Sequence, residues 1–158
     1  MAPLYSFRQG LSAALKLHPK SIFEWGPGHS TLQMLACPSV ERIISVEHNY
    51  QWYMRYLQEF KDDVHRLRLR HIADLQEYVE YPRGGFDLIY VDGMRRNQCL
   101  KRAQQIIRPD GIVLLHDAER ASYRRAIVMF PFHSFAPGGH IAAMATQSSV
   151  IYRWEENL

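Results

Sequence analysis

The stretch SIFEWGPGHST, residues 21–31, decides how this chain folds. It begins with an apolar run typical of a buried strand and continues into Gly26 and Gly28, which are one residue apart. Glycine adopts positive φ and lets another group approach the backbone without meeting a Cβ. Ser30 and Thr31 are residue types that begin helices. We therefore predict a strand, a tight glycine turn that uses positive φ, and the start of a helix.

The bulk composition is that of one globular domain. The chain has 158 residues, of which 47% are hydrophobic and 22% charged, with a net charge of +3. No apolar run approaches the ~20 residues that a membrane helix needs. Arg8 and Lys16 interrupt the early apolar patch, which disfavours a secretory signal. Cys37 and Cys99 lack metal-ligand spacing, so we expect unpaired thiols and a cytoplasmic location.

Strand and helix patterns alternate along most of the chain. Apolar strand patterns occupy 21–25, 43–47, 67–72, 86–92 and 111–117, and helical spacing occupies 4–17, 50–60, 95–107 and 120–129. This alternation predicts an α/β fold, a parallel sheet with helices on both faces. We expect an N-terminal helix within 1–19, a core at 20–130 and a C-terminal β-hairpin at 131–158, with residues 148–154 as a strand.

Polar residues follow the apolar runs where the predicted strands end. In a wound parallel sheet these ends share one edge, and ligands bind along that edge. The edge therefore predicts an active site, and its residues are Glu24, Gly26, Glu47, Asp74, Asp92, His116 and Asp117.

These motifs resemble those of class I S-adenosylmethionine-dependent methyltransferases. The motif E-x-G-x-G is present as Glu24, Gly26 and Gly28, and the acid Glu47 ends the second strand 19 residues beyond Gly28. The resemblance extends over residues 20–154. It implies a Rossmann-like seven-stranded sheet of order 3-2-1-4-5-7-6 with an antiparallel C-terminal strand, and S-adenosylmethionine as the cofactor.

The resemblance also implies roles for individual residues. Gly26 and Gly28 would lie beside the methionine and ribose portion of the cofactor, and Glu24 would hold the methionine amino group. Glu47 would bind the ribose hydroxyls and Asp74 would lie beside the adenine. The other residues expected to line the cofactor site are Ser30, His48 and Asp92.

Each role has a simpler structural alternative. Two carboxylate oxygens suit a ribose diol, yet Glu47 could equally be a turn residue at a strand end. Asp74 is also a common helix N-cap. Glu24 disfavours a nicotinamide dinucleotide, because its carboxylate would repel a pyrophosphate while attracting a sulfonium ligand with a free ammonium group.

The chemistry is expected at the ends of the two central strands. Asp92, His116 and Asp117 are the predicted catalytic residues, with His116 accepting a proton; a structural histidine is the alternative. Metal-dependent O-methyltransferases place an Asp, then an Asp-Asn pair, at these strand ends. Asp92 and Asp117 match, but Ala118 replaces the amide, so Mg²⁺ or Mn²⁺ is left open and not predicted.

Basic residues near this edge suggest the acceptor. Arg95, Arg96 and Arg120 are predicted to surround an anionic small molecule, since guanidinium groups suit carboxylates and phosphates. The alternative is that these arginines lie on ordinary solvated helix faces and form ion pairs with Asp92, Asp117 and Glu119. Nucleic acid is disfavoured because the aromatics lie at core spacing.

The sequence therefore predicts an S-adenosylmethionine-dependent methyltransferase acting on O or N of a small polar, anionic acceptor. The alternatives are a non-catalytic cofactor-binding or assembly module of the same fold and, less favoured, a nicotinamide-dependent oxidoreductase. No membrane association is expected, and a homodimer is left open.

Overall fold

A computed structural model describes residues 5–158, with side chains from Arg8 onward. The strands are β1 (Ser21–Trp25), β2 (Arg42–Glu47), β3 (Leu67–His71), β4 (Phe86–Val91), β5 (Ile107–His116), β6 (Phe132–Phe135) and β7 (Ile141–Ala145). The helices are α1 (Tyr5–Leu15), α2 (His29–Leu35), α3 (Tyr50–Glu59), α4 (Leu75–Glu80), α5 (Arg96–Ile106), α6 (Arg124–Val128) and α7 (Ser148–Glu156).

The seven strands form one sheet in the order β3-β2-β1-β4-β5-β7-β6, so the predicted fold is confirmed. Strands β1 to β5 pair in parallel. Strand β7 runs antiparallel to both β5 and β6. The carboxyl ends of the five parallel strands therefore open on one edge, where their polar residues gather.

Side chains of the central strands alternate between two apolar clusters, one on each face of the sheet. Ile22, Ile43 and Leu88 belong to the cluster that includes buried residues of α1, α2 and α7. Phe23 and Ile89 belong to the cluster that includes buried residues of α5 and α6. This alternation is the two-residue period of a strand, and it explains why the central strands are apolar on both faces.

The C-terminal segment differs from its prediction. The hairpin comprises β6 and β7, but residues 148–154 belong to helix α7, so the predicted strand there is wrong. Val150, Ile151 and Trp154 are buried on one face of this helix, a helical spacing that the β-branched residues obscured. The indole Nε1 of Trp154 donates to the carbonyl of Gly10 at 2.9 Å, which joins α7 to α1.

Small side chains in β7 let α1 approach the sheet closely. All five residues of β7 are buried. Ile141, Ala143 and Ala145 share a cluster with α1 and α7. A Cβ built on Gly10 would lie 2.7 Å from Cγ2 of Ile141, so a larger residue at this position of α1 would not fit.

Two smaller differences concern helices. The predicted N-terminal helix at 1–19 is observed as α1, while residues 1–4 lie outside the described part of the chain. The predicted helix at 120–129 is a 3₁₀ turn, Ala121–Tyr123, followed by the short α6. None of the helices in residues 5–158 has the length and hydropathy of a membrane-spanning segment.

Candidate active site

The carboxylate of Glu24 lies inside the glycine turn and is fully buried. Thr31 Oγ1 and Ser45 Oγ donate to its Oε1 at 2.6 and 2.7 Å, and Ser30 Oγ donates to its Oε2. These hydroxyls come from α2 and β2, so one carboxylate connects β1 to both. Ser45 was not predicted as a partner, although a serine within a buried apolar strand was a usable signal.

Burial raises the pKa of Glu24 to about 7, against the lowering effect of the three hydroxyl hydrogen bonds. Asp92 adds a smaller repulsion that also raises this pKa. The side chain therefore binds a proton more readily than an exposed glutamate does. Its predicted contact with the methionine amino group stays a prediction, and what the structure shows is a carboxylate that holds the turn together.

The two glycines of the turn have different conformations. Gly26 has φ of 87°, and a Cβ there would lie 2.4 Å from the backbone oxygen of Asp92. Gly28 has φ of 169°, which is extended backbone, so positive φ is not needed there. A Cβ on Gly28 would have only the Tyr56 hydroxyl nearby, at 3.8 Å. Gly26 is therefore required by the protein's own packing, whereas the space beside Gly28 is open.

Glu47 ends β2 level with the glycine turn, because the amide of Gly26 donates to the carbonyl of Val46. Its Oε2 accepts from the amides of His48 and Asn49 at 2.8 and 3.2 Å, and His48 Nδ1 lies 3.1 Å from the same oxygen. These contacts fix the carboxylate as a turn residue would be fixed. They involve Oε2 alone, and the ribose role stays a prediction.

Asp74 is the N-cap of α4, because its Oδ1 accepts from the amide of Glu77 at 2.9 Å. The N-cap interpretation is confirmed, and a role beside adenine stays a prediction.

Aromatic rings gather near the carboxyl end of β3, a feature that the sequence analysis did not identify. The ring centroids of Tyr50 and Tyr53 lie 5.3 and 5.5 Å from that of His71. His71 Nε2 lies 3.1 Å from the backbone oxygen of His48. The two tyrosines are three residues apart on α3, and this helical spacing was the available signal.

The three predicted catalytic residues lie together at the ends of β4 and β5. His116 Nδ1 is 3.0 Å from Asp92 Oδ1 and 3.4 Å from Asp117 Oδ2. Burial alone would lower the pKa of His116, but the hydrogen bond to Asp92 and the charges of both acids outweigh it and raise the pKa. The pKa of Asp117 is lowered overall, because the positive charges of His116 and Arg96 outweigh its burial.

Arg96 closes this cluster from the start of α5. Its Nη2 lies 3.2 Å from Asp92 Oδ1, and its Nη1 lies 3.2 Å from Asp117 Oδ2. Its Nη1 and Nε also donate to the backbone oxygens of His116 and Gly93, at 2.8 and 2.9 Å. Only 14% of the side chain is exposed. The ion-pair alternative is therefore confirmed for Arg96.

The other two predicted arginines are more exposed than Arg96, and Arg120 also pairs with Asp117. Arg120 is 60% exposed, and its Nη2 is 3.6 Å from Asp117 Oδ2. Arg95 is exposed, has φ of 49°, and lines a groove between α4 and α5. Binding of an anionic acceptor by either residue stays a prediction.

Asp92, His116 and Asp117 have ligand atoms within 4.8 Å of one another, close enough for a metal ion. The guanidinium of Arg96 contacts both carboxylates and offsets one of their two negative charges, and Ala118 offers no side-chain ligand. A divalent cation beside this guanidinium would be repelled. As arranged, these residues do not fit Mg²⁺ or Mn²⁺, and we derive no step through a metal.

The sheet order, the glycine turn and the acids at the strand ends define a Rossmann-like S-adenosylmethionine-dependent methyltransferase fold. Residues 23–118 match the protein family described as a methyltransferase domain. Because this match includes more than half of the chain, the protein belongs to that family. A comparison with curated proteins finds no match.

Solved structures share the fold. A methyltransferase-like protein from Silicibacter pomeroyi has a TM-score of 0.73 and 16% identity, covering 99% of this chain and 95% of that one. The O-methyltransferase TomG from Streptomyces achromogenes, solved with SAM, has a TM-score of 0.69 and 14% identity, covering 93% and 82%.

A spermidine synthase in complex with the transition state analogue AdoDATO has a TM-score of 0.71 and 18% identity, covering 95% of this chain. The chain spans 64% of the length of that synthase. At these identities the likenesses show the fold alone.

The two glycines give a matched pair of substitutions. Gly26→Ala is expected to lower the free energy of unfolding by about 1–3 kcal/mol, because it combines left-handed backbone strain with a clash at Asp92. Gly28→Ala has room for its Cβ and is expected to lose less than half as much. Urea denaturation of both variants measures the difference, and equal losses would contradict the assigned packing.

The raised pKa of Glu24 predicts a pH-dependent stability. The pKa of this carboxyl is 4.5 in the unfolded chain and about 7 in the folded protein, so between these pH values only the folded protein holds the proton. The stabilisation that results is complete below pH 4.5 and is lost as the pH rises through 7. Relative to Glu24→Gln, the wild-type free energy of unfolding should fall by about 3 kcal/mol over this range. The same denaturation series on exposed Glu41→Gln should show no such difference from wild type.

Neighbouring arginines provide a second matched pair. Arg96→Lys is expected to lower the free energy of unfolding by about 2–3 kcal/mol, because an ammonium cannot reproduce the forked contacts of a guanidinium. Arg95→Lys should change it by less than about 0.5 kcal/mol. If thermal and urea unfolding rank the two variants in the opposite order, the contacts assigned to Arg96 are wrong.

Proposed function

We propose that this protein is an S-adenosylmethionine-dependent methyltransferase that methylates O or N of a small polar acceptor at the carboxyl edge of the sheet. One observation carries the proposal: two acids flank the glycine turn. Gly26 is hydrogen-bonded to β2 immediately before Glu47, and the amide of Asp92 donates to the carbonyl of Trp25 at 3.0 Å. Acids on both sides of an open turn favour a positively charged ligand.

Glu47 is suited to hold the ribose of that cofactor. Backbone amides and His48 fix its Oε2, and among residues 5–158 no hydrogen bond goes to its Oε1. An oriented carboxylate oxygen is a good acceptor for a ribose hydroxyl. The open space beside Gly28 leaves room for the cofactor to pass the turn.

The proton chemistry would belong to His116. When bound, the cofactor supplies an electrophilic methyl carbon on a positively charged sulfur. The imidazole of His116 would accept the proton that the acceptor atom loses when it is methylated. Asp92 and Asp117 stabilise the resulting imidazolium, and Arg96 fixes both carboxylates.

A non-catalytic cofactor-binding module is the second candidate. The observation that favours it is Arg96, whose guanidinium contacts both acids of the cluster. Both functions require cofactor binding, but only the enzyme releases S-adenosylhomocysteine when offered a panel of small hydroxyl and amine acceptors. Release that depends on the acceptor supports the enzyme; binding without any release supports the module.

The cofactor site can be tested by calorimetric titration with S-adenosylhomocysteine. Glu47→Gln should weaken binding at least about tenfold, because it removes one charge-assisted hydrogen bond to the ribose. The control Glu41→Gln changes an exposed acid at the opposite end of β2 and should bind as wild type does. Failure of the wild type to bind, or equal binding by both variants, would contradict the assignment.

A further inference from the structure

A basic groove of about 630 Å³ lies between α4 and α5. Four cationic side chains line it: Arg83 follows α4, Arg95 flanks the start of α5, and Lys101 and Arg102 belong to α5. Neighbouring helices on one face of a sheet ordinarily meet through apolar side chains. Here the outer part of their junction is polar and positively charged.

The positive charges of the groove outnumber its negative charges. Among residues 5–158, no carboxylate lies within 4.0 Å of the charged nitrogens of these four side chains. Among the residues with described side chains, Glu80 is the one acid that lines the groove, and its Oε1 accepts from the amide of Gln76 at 2.6 Å. Four like charges with a single acid repel one another, and an anion would relieve that repulsion.

Arg102 is held in place before any ligand binds. Its Nη2 donates to the backbone oxygen of Pro82 at 2.7 Å, and its Nη1 donates to Gln105 Oε1 at 3.2 Å. Its Nε is buried and has no hydrogen-bond partner among the described residues. A guanidinium fixed in this way loses little conformational entropy when it binds an anion.

The remaining lining residues indicate the kind of anion. Gln76, Gln98 and Gln105 offer neutral amides, and Val79 adds an aliphatic side chain. No aromatic side chain of residues 8–158 lines the groove, so this part of the chain offers no ring on which a nucleic acid base could stack. The volume lies within the usual range of small-molecule sites, about 300–1,000 Å³.

We propose that this groove binds a phosphate-bearing small molecule, with the four cations contacting two or more phosphate groups. Guanidinium and ammonium groups pair well with phosphate oxygens, and one monoanion would leave most of the four charges unmatched. Arg95 lines the groove and is followed by Arg96, which contacts Asp92, so one end of the groove lies near the candidate active site. The proposal does not depend on methyl transfer.

Calorimetric titration of the whole chain with inorganic tripolyphosphate tests the groove. Wild type is expected to bind, and to bind more weakly at 200 mM than at 50 mM sodium chloride because exposed charges are screened. Arg83→Gln and Lys101→Gln should each weaken binding about tenfold, as expected for loss of one charge-assisted hydrogen bond. Neither substitution removes the contact of Arg102 with Pro82, so both variants should melt as wild type does.

The matched control is Arg68→Gln, which removes the same charge from an exposed position of β3. Tripolyphosphate binding unchanged in this variant, together with unchanged S-adenosylhomocysteine binding by the groove variants, supports a separate site. Equal weakening by Arg68→Gln would reduce the effect to net charge and overturn the proposal. The proposal would also be overturned if the wild type failed to bind tripolyphosphate, or if a single-stranded oligonucleotide bound more tightly than tripolyphosphate.

Discussion

The buried carboxylate of Glu24 is the constraint on which the candidate site depends. Its three hydroxyl partners come from α2 and β2, so the turn after β1 cannot move without breaking these hydrogen bonds. A buried charge costs free energy, and here burial is expressed as a pKa raised to about 7. An apolar residue at this position would avoid the free-energy cost of burial, but it could not accept hydrogen bonds from the three hydroxyls that fix the turn.

A second polar centre, around Arg96, organises the ends of β4 and β5. Sequence alone presents Arg95 and Arg96 as equivalent, yet the structure separates them. Helix α5 begins at Arg96, whose guanidinium contacts two carboxylates and two carbonyls, while Arg95 adopts a left-handed conformation and faces the groove beside α4. The left-handed conformation of Arg95 thus separates the two side chains. Arg96 lies inside the cluster and is paired with carboxylates, whereas Arg95 faces the open groove.

The sheet and the rim of acids could be predicted because both follow from local pattern. Buried strands are apolar, polar residues end them, and parallel strands end on one edge. The helix at 148–156 was missed because its short run of Val, Ile and Tyr suits a strand equally well. The extended conformation of Gly28 and the partnership of Ser45 with Glu24 depend on contacts between elements, which no single segment of sequence contains.

The close packing of α1 against β7 affects the end of β5. Gly10 touches Ile141, and Ile141 is the register partner of His116 in β5. A larger side chain at residue 10 of α1 would therefore displace Ile141 and the end of β7 that pairs with His116. The position of the His116 backbone thus depends on the size of a residue that is distant from it in the sequence.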